Sequence, residues 1–263
     1  MQDDPSWTGE ERPGRMRRPV RGLPLRAVAP NAVTALALCS GLSGVRFAIG
    51  GQWQAAAGMV LLAALFDGLD GRVARLLHGE SRFGAELDSL SDAISFGVAP
   101  ALIMYLWSLQ AVPRFGWICA LVLAVFCALR LARFNAKIDE LDQPHKLAGF
   151  LTGIPAPAGA AAMLPLFLWF CTDLPLFASP YVVGPWVLIV ALLMVSSVAT
   201  YSWSSLRLRR SVRFEAIALI VFLGAALVSA PWHTLSALIA LYLATLPFSI
   251  AAYARVKRQR ATG

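Results

Sequence analysis

Long apolar stretches recur along the chain at about 32–49, 53–72, 86–108, 115–133, 156–172, 181–201, 214–230 and 234–254, separated by short polar segments. A bilayer core of roughly 30 Å takes about 20 helical residues, so each stretch is long enough to cross one. The pattern predicts an all-α, polytopic membrane bundle of about eight transmembrane helices. Residues 22–28, short, basic and apolar ahead of Pro30-Asn31, are expected to lie along the membrane surface before the first span. Helical patterning breaks at Leu77–Gly84 and Ala136–Pro157, the latter rich in Pro and Gly, and these loops are expected to form a polar mouth on one side. No internal repeat stands out. The organisation predicted is a basic tail with its interfacial segment (1–29), one membrane domain (30–254) and a second basic tail (255–263).

Composition agrees with this division: 58% of residues are hydrophobic, 14% are charged, and the mean hydropathy is +0.64. The net charge of +8 would suit nucleic acid, but the basic residues alternate with apolar spans instead of forming a stripe, so no nucleic-acid partner is expected. Membrane topology accounts for them. With a cytoplasmic N-terminus, the inner segments hold Arg12, Arg15, Arg17, Arg18, Arg21 and Arg26, then Arg72, Arg75 and Arg82, then Arg130, Arg133, Lys137 and Lys146. They continue with Arg207, Arg209, Arg210 and Arg213, and with Arg255, Lys257, Arg258 and Arg260, leaving only Arg46 and Arg114 of the 23 Lys and Arg residues outside. Both termini and the polar mouth are therefore predicted on the cytoplasmic side, in a bacterial inner membrane.

The first 26 residues contain no apolar region ending in a cleavage site, so no removable signal peptide is expected, and Arg17-Arg18 reads as a surface anchor. Cys39, Cys119, Cys127 and Cys171 lie in apolar spans without metal-ligand spacing, which predicts no disulfide framework. His78, His145 and His233 show no pairing pattern.

Against this apolar background stand four carboxylates, in the run Asp67-x-x-Asp70-Gly71-x-x-Ala74-Arg75, eight residues, Gly84-x-x-x-Asp88-x-x-x-Asp92. One Asp at the centre of a membrane helix costs roughly 2.5–3.5 kcal/mol, so four left uncompensated would cost on the order of 10 kcal/mol. Asp67, Asp70, Gly71 and Ala74 share one helical face, and Gly84, Asp88 and Asp92 another, helped by Ser91 and Ser95. Two helices joined by a short loop are antiparallel neighbours, so the faces converge near the inner surface. Oxygen-only donors without His or Cys suit Mg²⁺ or Mn²⁺ and argue against zinc. Gly71, Ala74 and Gly84 would admit a phosphate or nucleotide close to the backbone, and Arg75 offers a planar donor to its oxygens.

This run resembles the CDP-alcohol phosphotransferase signature at every position and spacing. The resemblance implies an enzyme that displaces CMP from a CDP-linked lipid by an alcohol, using a centre of two Mg²⁺ or Mn²⁺ ions. It implies that Asp67, Asp70 and Asp88 are the principal ligands, that Asp92 completes the site and acts as general base, and that Gly71, Ala74, Arg75 and Gly84 surround the cytidine diphosphate.

Further stretches concern the acceptor. Phe66–Arg75 and Ser81–Pro100 look like the phosphatidylserine synthase subgroup, and Arg130-Leu131-Ala132-Arg133-Phe134-Asn135 and Phe150–Pro157 are similar to its later motifs. That likeness runs from about residue 30 to 160 and implies CDP-diacylglycerol and L-serine as substrates. Arg130, Arg133 and Asn135 are candidate contacts for the serine carboxylate, since Arg binds carboxylates well. Asn31 and Thr34, at i and i+3, are candidates to reach the nucleotide, with Asn31 alternatively capping the first helix. The last two spans are expected to complete a groove or build a homodimer interface. Two other readings remain: the same reaction with glycerol 3-phosphate, inositol phosphate or choline as acceptor, and a divalent-cation transporter, because intramembrane acids also mark ion paths.

Overall fold

The computed structural model describes residues 25–77, 81–136, 150–152, 156–196, 199–201 and 213–245. The N-terminal arginines up to Arg21, His78, Lys137, His145, Lys146, Arg207 to Arg210 and the C-terminal basic tail lie outside these residues. The bundle opens with α1 (Leu25–Ile49) and α2 (Trp53–Leu77), an antiparallel pair. The segment from Leu25 is continuous with α1, which runs through Pro30, so the expected surface segment is, from Leu25 onward, the first turn of that helix. Gly51 ends it at φ 70°, with the Gln52 N–H donating to the Phe47 carbonyl at 2.9 Å and the Gly51 N–H to Ala48 at 3.0 Å. Only glycine takes that backbone conformation without strain, and the reciprocal pair of bonds satisfies the carbonyls left over at the helix end.

Across the acidic end of α2, Ser81 caps α3 (Arg82–Asp92) by accepting the Gly84 N–H at 3.0 Å. A wide π turn, Ala93–Val98, then leads into α4 (Ala99–Trp107). Its cause is Pro100, which lacks an N–H and whose ring would clash with the carbonyl four residues back. The Ala99 N–H donates instead to Ile94, five residues back. Ser91 and Ser95, expected to support the acidic face, point to α1, where their hydroxyls donate to the Thr34 carbonyl at 3.2 Å and the Ala37 carbonyl at 3.3 Å. At Gly41 an added Cβ would come within 2.7 Å of Ser95 Oγ, so the absence of a side chain lets α1 and the π turn touch.

Helix α5 (Pro113–Ala136) returns to the acidic end, and Gly97 lets the π turn approach Cys127 on it. The chain continues through β1 (Phe150–Thr152), a 3₁₀ segment (Ala156–Met163), α6 (Leu164–Thr172), α7 (Pro175–Ala178), α8 (Pro180–Val195) and β2 (Ala199–Tyr201). Helix α9 (Arg213–Ser229) and a last helix, α10 (231–245), follow. Gly184 early in α8 packs against the Phe115 ring early in α5, so these two helices run parallel and both end at the acidic side. The strands that follow them pair antiparallel there, Phe150 opposite Tyr201 and Thr152 opposite Ala199. The expected all-α architecture is what the described residues form, with this short ladder as a local exception: two connecting segments satisfy their backbone groups on each other, and the stretch expected to span from 181 to 201 is helical only to Val195.

Three helical runs among the described residues are long and apolar enough to cross a membrane, Val28–Ile49, Arg82–Trp107 and Pro113–Ala136. The second combines α3, the π turn and α4. Phe96, Ile103, Leu123, Phe167 and Met194 are fully buried between helices, whereas Leu36, Leu42, Leu65, Ile118, Leu121, Val125, Leu129, Val221 and Phe222 are exposed. An apolar exterior of that extent suits hydrocarbon, not water.

Candidate active site

The last three turns of α2 and the length of α3 bring Asp67, Asp70 and Asp88 together, with one carboxylate oxygen from each within 4.8 Å of the others. Asp70 is buried; Asp67 and Asp88 are half-buried. Asp92, one turn beyond Asp88, is in hydrogen-bond contact with Asp67 across the two helices. Two carboxyl groups in contact require a shared proton or an intervening cation. The donor set is oxygen-only and partly open, and three oxygens at this spacing can converge on one divalent ion. The residues therefore fit a hard cation.

Thr34, expected at the nucleotide, is buried, and its hydroxyl donates to Asp70 Oδ2 at 2.7 Å, with the Pro30 carbonyl a longer alternative at 3.1 Å. It holds the Asp70 carboxylate in place. A Thr34→Val variant keeps the shape and removes that bond, and is expected to weaken apparent divalent-cation affinity about 10- to 100-fold, the usual effect of losing a group that orients a ligand. Titrating activity against Mn²⁺ measures this, and an unchanged curve would exclude the role.

Asn31 lies opposite Gly84, where an added Cβ would sit 2.8 Å from Asn31 Oδ1. Asn31 and Gly84, both expected near the nucleotide, thus meet at the junction of α1 and α3. At Gly71 an added Cβ would meet nothing within 4 Å, so the backbone there is open to a ligand. Ala74 is half-buried, and Arg75 is exposed in the last turn of α2.

The three expected acceptor contacts separate. Arg130 is half-buried and stands within electrostatic reach of Asp92. Asn135 is tied to α3 instead, its amide donating to Ser89 Oγ at 2.9 Å, and Arg133 is exposed near the end of α5. Sequence reading missed Tyr242, which α10 places within electrostatic reach of Arg130. A lone Tyr in an apolar span carries no signal until the packing of that helix is known.

Residues 27–203 match the family model described as CDP-alcohol phosphatidyltransferase, which is more than half of the chain. The chain belongs to the CDP-alcohol phosphatidyltransferase family. Residues 212–247 match a second model, CDP-alcohol phosphatidyltransferase 2. Among its relatives, a CDP-diacylglycerol–serine O-phosphatidyltransferase of Mycobacterium leprae is 38% identical over 224 residues, covering 85% of this chain and 74% of the relative. The enzyme of that name from Helicobacter pylori strain 26695 is 40% identical over 135 residues, 51% of this chain and 55% of the relative. An archaetidylserine synthase of Methanothermobacter thermautotrophicus is 40% identical over 147 residues, 53% of this chain and 57% of the relative. Family membership and the three apolar helical runs together make the chain an integral membrane protein.

Proposed function

We propose that this chain is a CDP-diacylglycerol–serine O-phosphatidyltransferase, moving the phosphatidyl group from CDP-diacylglycerol to the hydroxyl of L-serine and releasing CMP. The observation that carries the reading is the convergence of Asp67, Asp70 and Asp88 beside Asp92, within a chain whose relatives named for serine align over most of its length. In this reading Asp67, Asp70 and Asp88, with Asp92 at the edge, hold two Mg²⁺ or Mn²⁺ ions. When bound, the ions supply charge neutralisation for the diphosphate and for the departing CMP.

The chain's own residues supply the rest. Asp92 takes the proton of the serine hydroxyl as the new O–P bond forms and the P–O bond to CMP breaks. Asn31, Gly71, Ala74, Arg75 and Gly84 frame the cytidine diphosphate, with the bare backbone at Gly71 leaving room for it. Arg130 attracts the serine carboxylate. Eight spans, both termini and the site on the cytoplasmic side of a bacterial inner membrane follow from the distribution of Arg and Lys. Domain limits at 30 and 254 belong to the same reading.

Purified protein given CDP-diacylglycerol, Mn²⁺ and L-serine is expected to release CMP only when all three are present. Replacing serine by glycerol 3-phosphate, inositol phosphate or choline is expected to leave CMP release at background. Turnover with one of those alcohols and not with serine would reassign the acceptor.

A further inference from the structure

The last described helix, α10, comes within electrostatic reach of the site. On α10, Trp232, Leu235, Ile239 and Tyr242 stand at i, i+3, i+7 and i+10, one helical face. Trp232 packs on Phe167 and Phe170, with ring centroids 5.8 and 4.7 Å apart, and Leu235 and Ile239 continue that contact along the core. Ten residues beyond Trp232, about 15 Å along the axis, Tyr242 comes within electrostatic reach of Arg130 of α5, which is itself within electrostatic reach of Asp92.

The Tyr242 hydroxyl and the Arg130 Nε are both buried and have no hydrogen-bond partner among the described residues. Buried polar atoms are nearly always partnered, and each one left alone costs about 1–3 kcal/mol. Arg can only donate, and a Tyr hydroxyl beside it is free to donate as well. What two buried donors within electrostatic reach of each other lack is an acceptor, and near a guanidinium the fitting acceptor is an anion.

We propose that Tyr242 and Arg130 together form the seat for the carboxylate of the amino-acid acceptor, so that α10 contributes directly to acceptor selection. The inference rests on the serine reading above. It also meets a geometric demand of that reading. Serine's hydroxyl oxygen and its carboxyl carbon are separated by three bonds, so a hydroxyl held at Asp92 puts the carboxylate next door, where Arg130 stands. An acceptor without a carboxylate gains nothing from this seat.

Tyr242→Phe keeps the ring and the packing of α10 and deletes only the hydroxyl. The KM for L-serine is expected to rise about tenfold or more, the effect of losing a hydrogen bond to a charged group. The kcat and the KM for CDP-diacylglycerol are expected to stay within about twofold. In wild type, 3-hydroxypropionate, which has the hydroxyl and carboxylate without the amine, competes with serine, and its Ki is expected to rise in parallel in the variant. Ethanolamine, which has the hydroxyl and amine without the carboxylate, is expected to inhibit or react equally with both proteins. A rise in the KM for CDP-diacylglycerol would place a lipid phosphate at these donors and overturn the proposal. An unchanged KM for serine, or an equal loss with ethanolamine, would overturn it too, leaving Tyr242 a packing residue. Should Tyr242→Phe not fold, Tyr242→Trp, which keeps an aromatic ring with a donor N–H, serves as the second variant, with a serine-selective change in KM expected and an equal change with ethanolamine overturning the proposal. Absence of serine-dependent CMP release in wild type would strike the parent reading instead, which keeps the two failures apart.

Discussion

Asp92→Asn is expected to lower kcat by roughly 10² to 10⁴-fold, the usual contribution of a positioned general base, while CDP-diacylglycerol still binds. The reason lies in how the four carboxylates divide. Asp67, Asp70 and Asp88 present oxygens within 4.8 Å of one another, and Asp92 stands at their edge against Asp67 and near Arg130. Asn preserves volume and hydrogen bonding but cannot accept the serine proton. Wild-type kcat/KM is expected to fall toward acid, because a base works deprotonated, and that limb is expected to vanish in the variant. Folding is not at risk: removing one of several clustered carboxylates relieves like-charge repulsion, so the thermal midpoint in detergent is expected to hold or rise. If equilibrium binding of CDP-diacylglycerol and Mn²⁺ were lost along with turnover, Asp92 would be a ligand whose removal empties the site, and the proton would need another acceptor.

Much of this arrangement was legible in the chain because helical periodicity and the cost of burying charge act locally. The spacing of Asp67 and Asp70, and of Gly84, Asp88 and Asp92, put two acidic faces on consecutive helices joined by a short connection. Energetics then required them to meet around something positive. Thr34 was legible as a site residue but not in its role, since the partner of its hydroxyl is Asp70, 36 residues away, and only packing of α1 on α2 selects it. Ser91 and Ser95 were misassigned for the same reason: helical spacing gives a direction, not the neighbour in that direction. The π turn after Asp92 follows from Pro100, but a proline within an apolar run signals a kink without specifying its form. Tyr242 and the pairing of β1 with β2 depend on segments far apart in sequence, which no local pattern encodes.

Asp88→Asn is expected to act differently from Asp92→Asn, and the contrast separates holding a cation from moving a proton. Asp88 is one of three convergent oxygen donors and sits on α3, so its loss leaves the two α2 carboxylates faced only by Asp92 at the edge of the cluster. Charge stabilisation by a bound divalent ion is worth several kcal/mol, and each 1.36 kcal/mol is tenfold in rate, so turnover is expected to drop about 10³-fold or more. A chelator is expected to bring wild type to the same floor, reversibly on adding Mn²⁺. The deciding measurement does not depend on turnover. A cation that binds the folded protein at 100 times its Kd stabilises it by about 2.7 kcal/mol, so wild type is expected to melt several degrees higher with saturating Mn²⁺. Asp92→Asn is expected to retain most of that shift, since the three-carboxylate set is intact, whereas Asp88→Asn is expected to lose it. Equal shifts in all three proteins would place the cation elsewhere in the molecule. Equal loss in both variants would make the four aspartates a single binding unit, with the proton of the serine hydroxyl passing to a group other than Asp92.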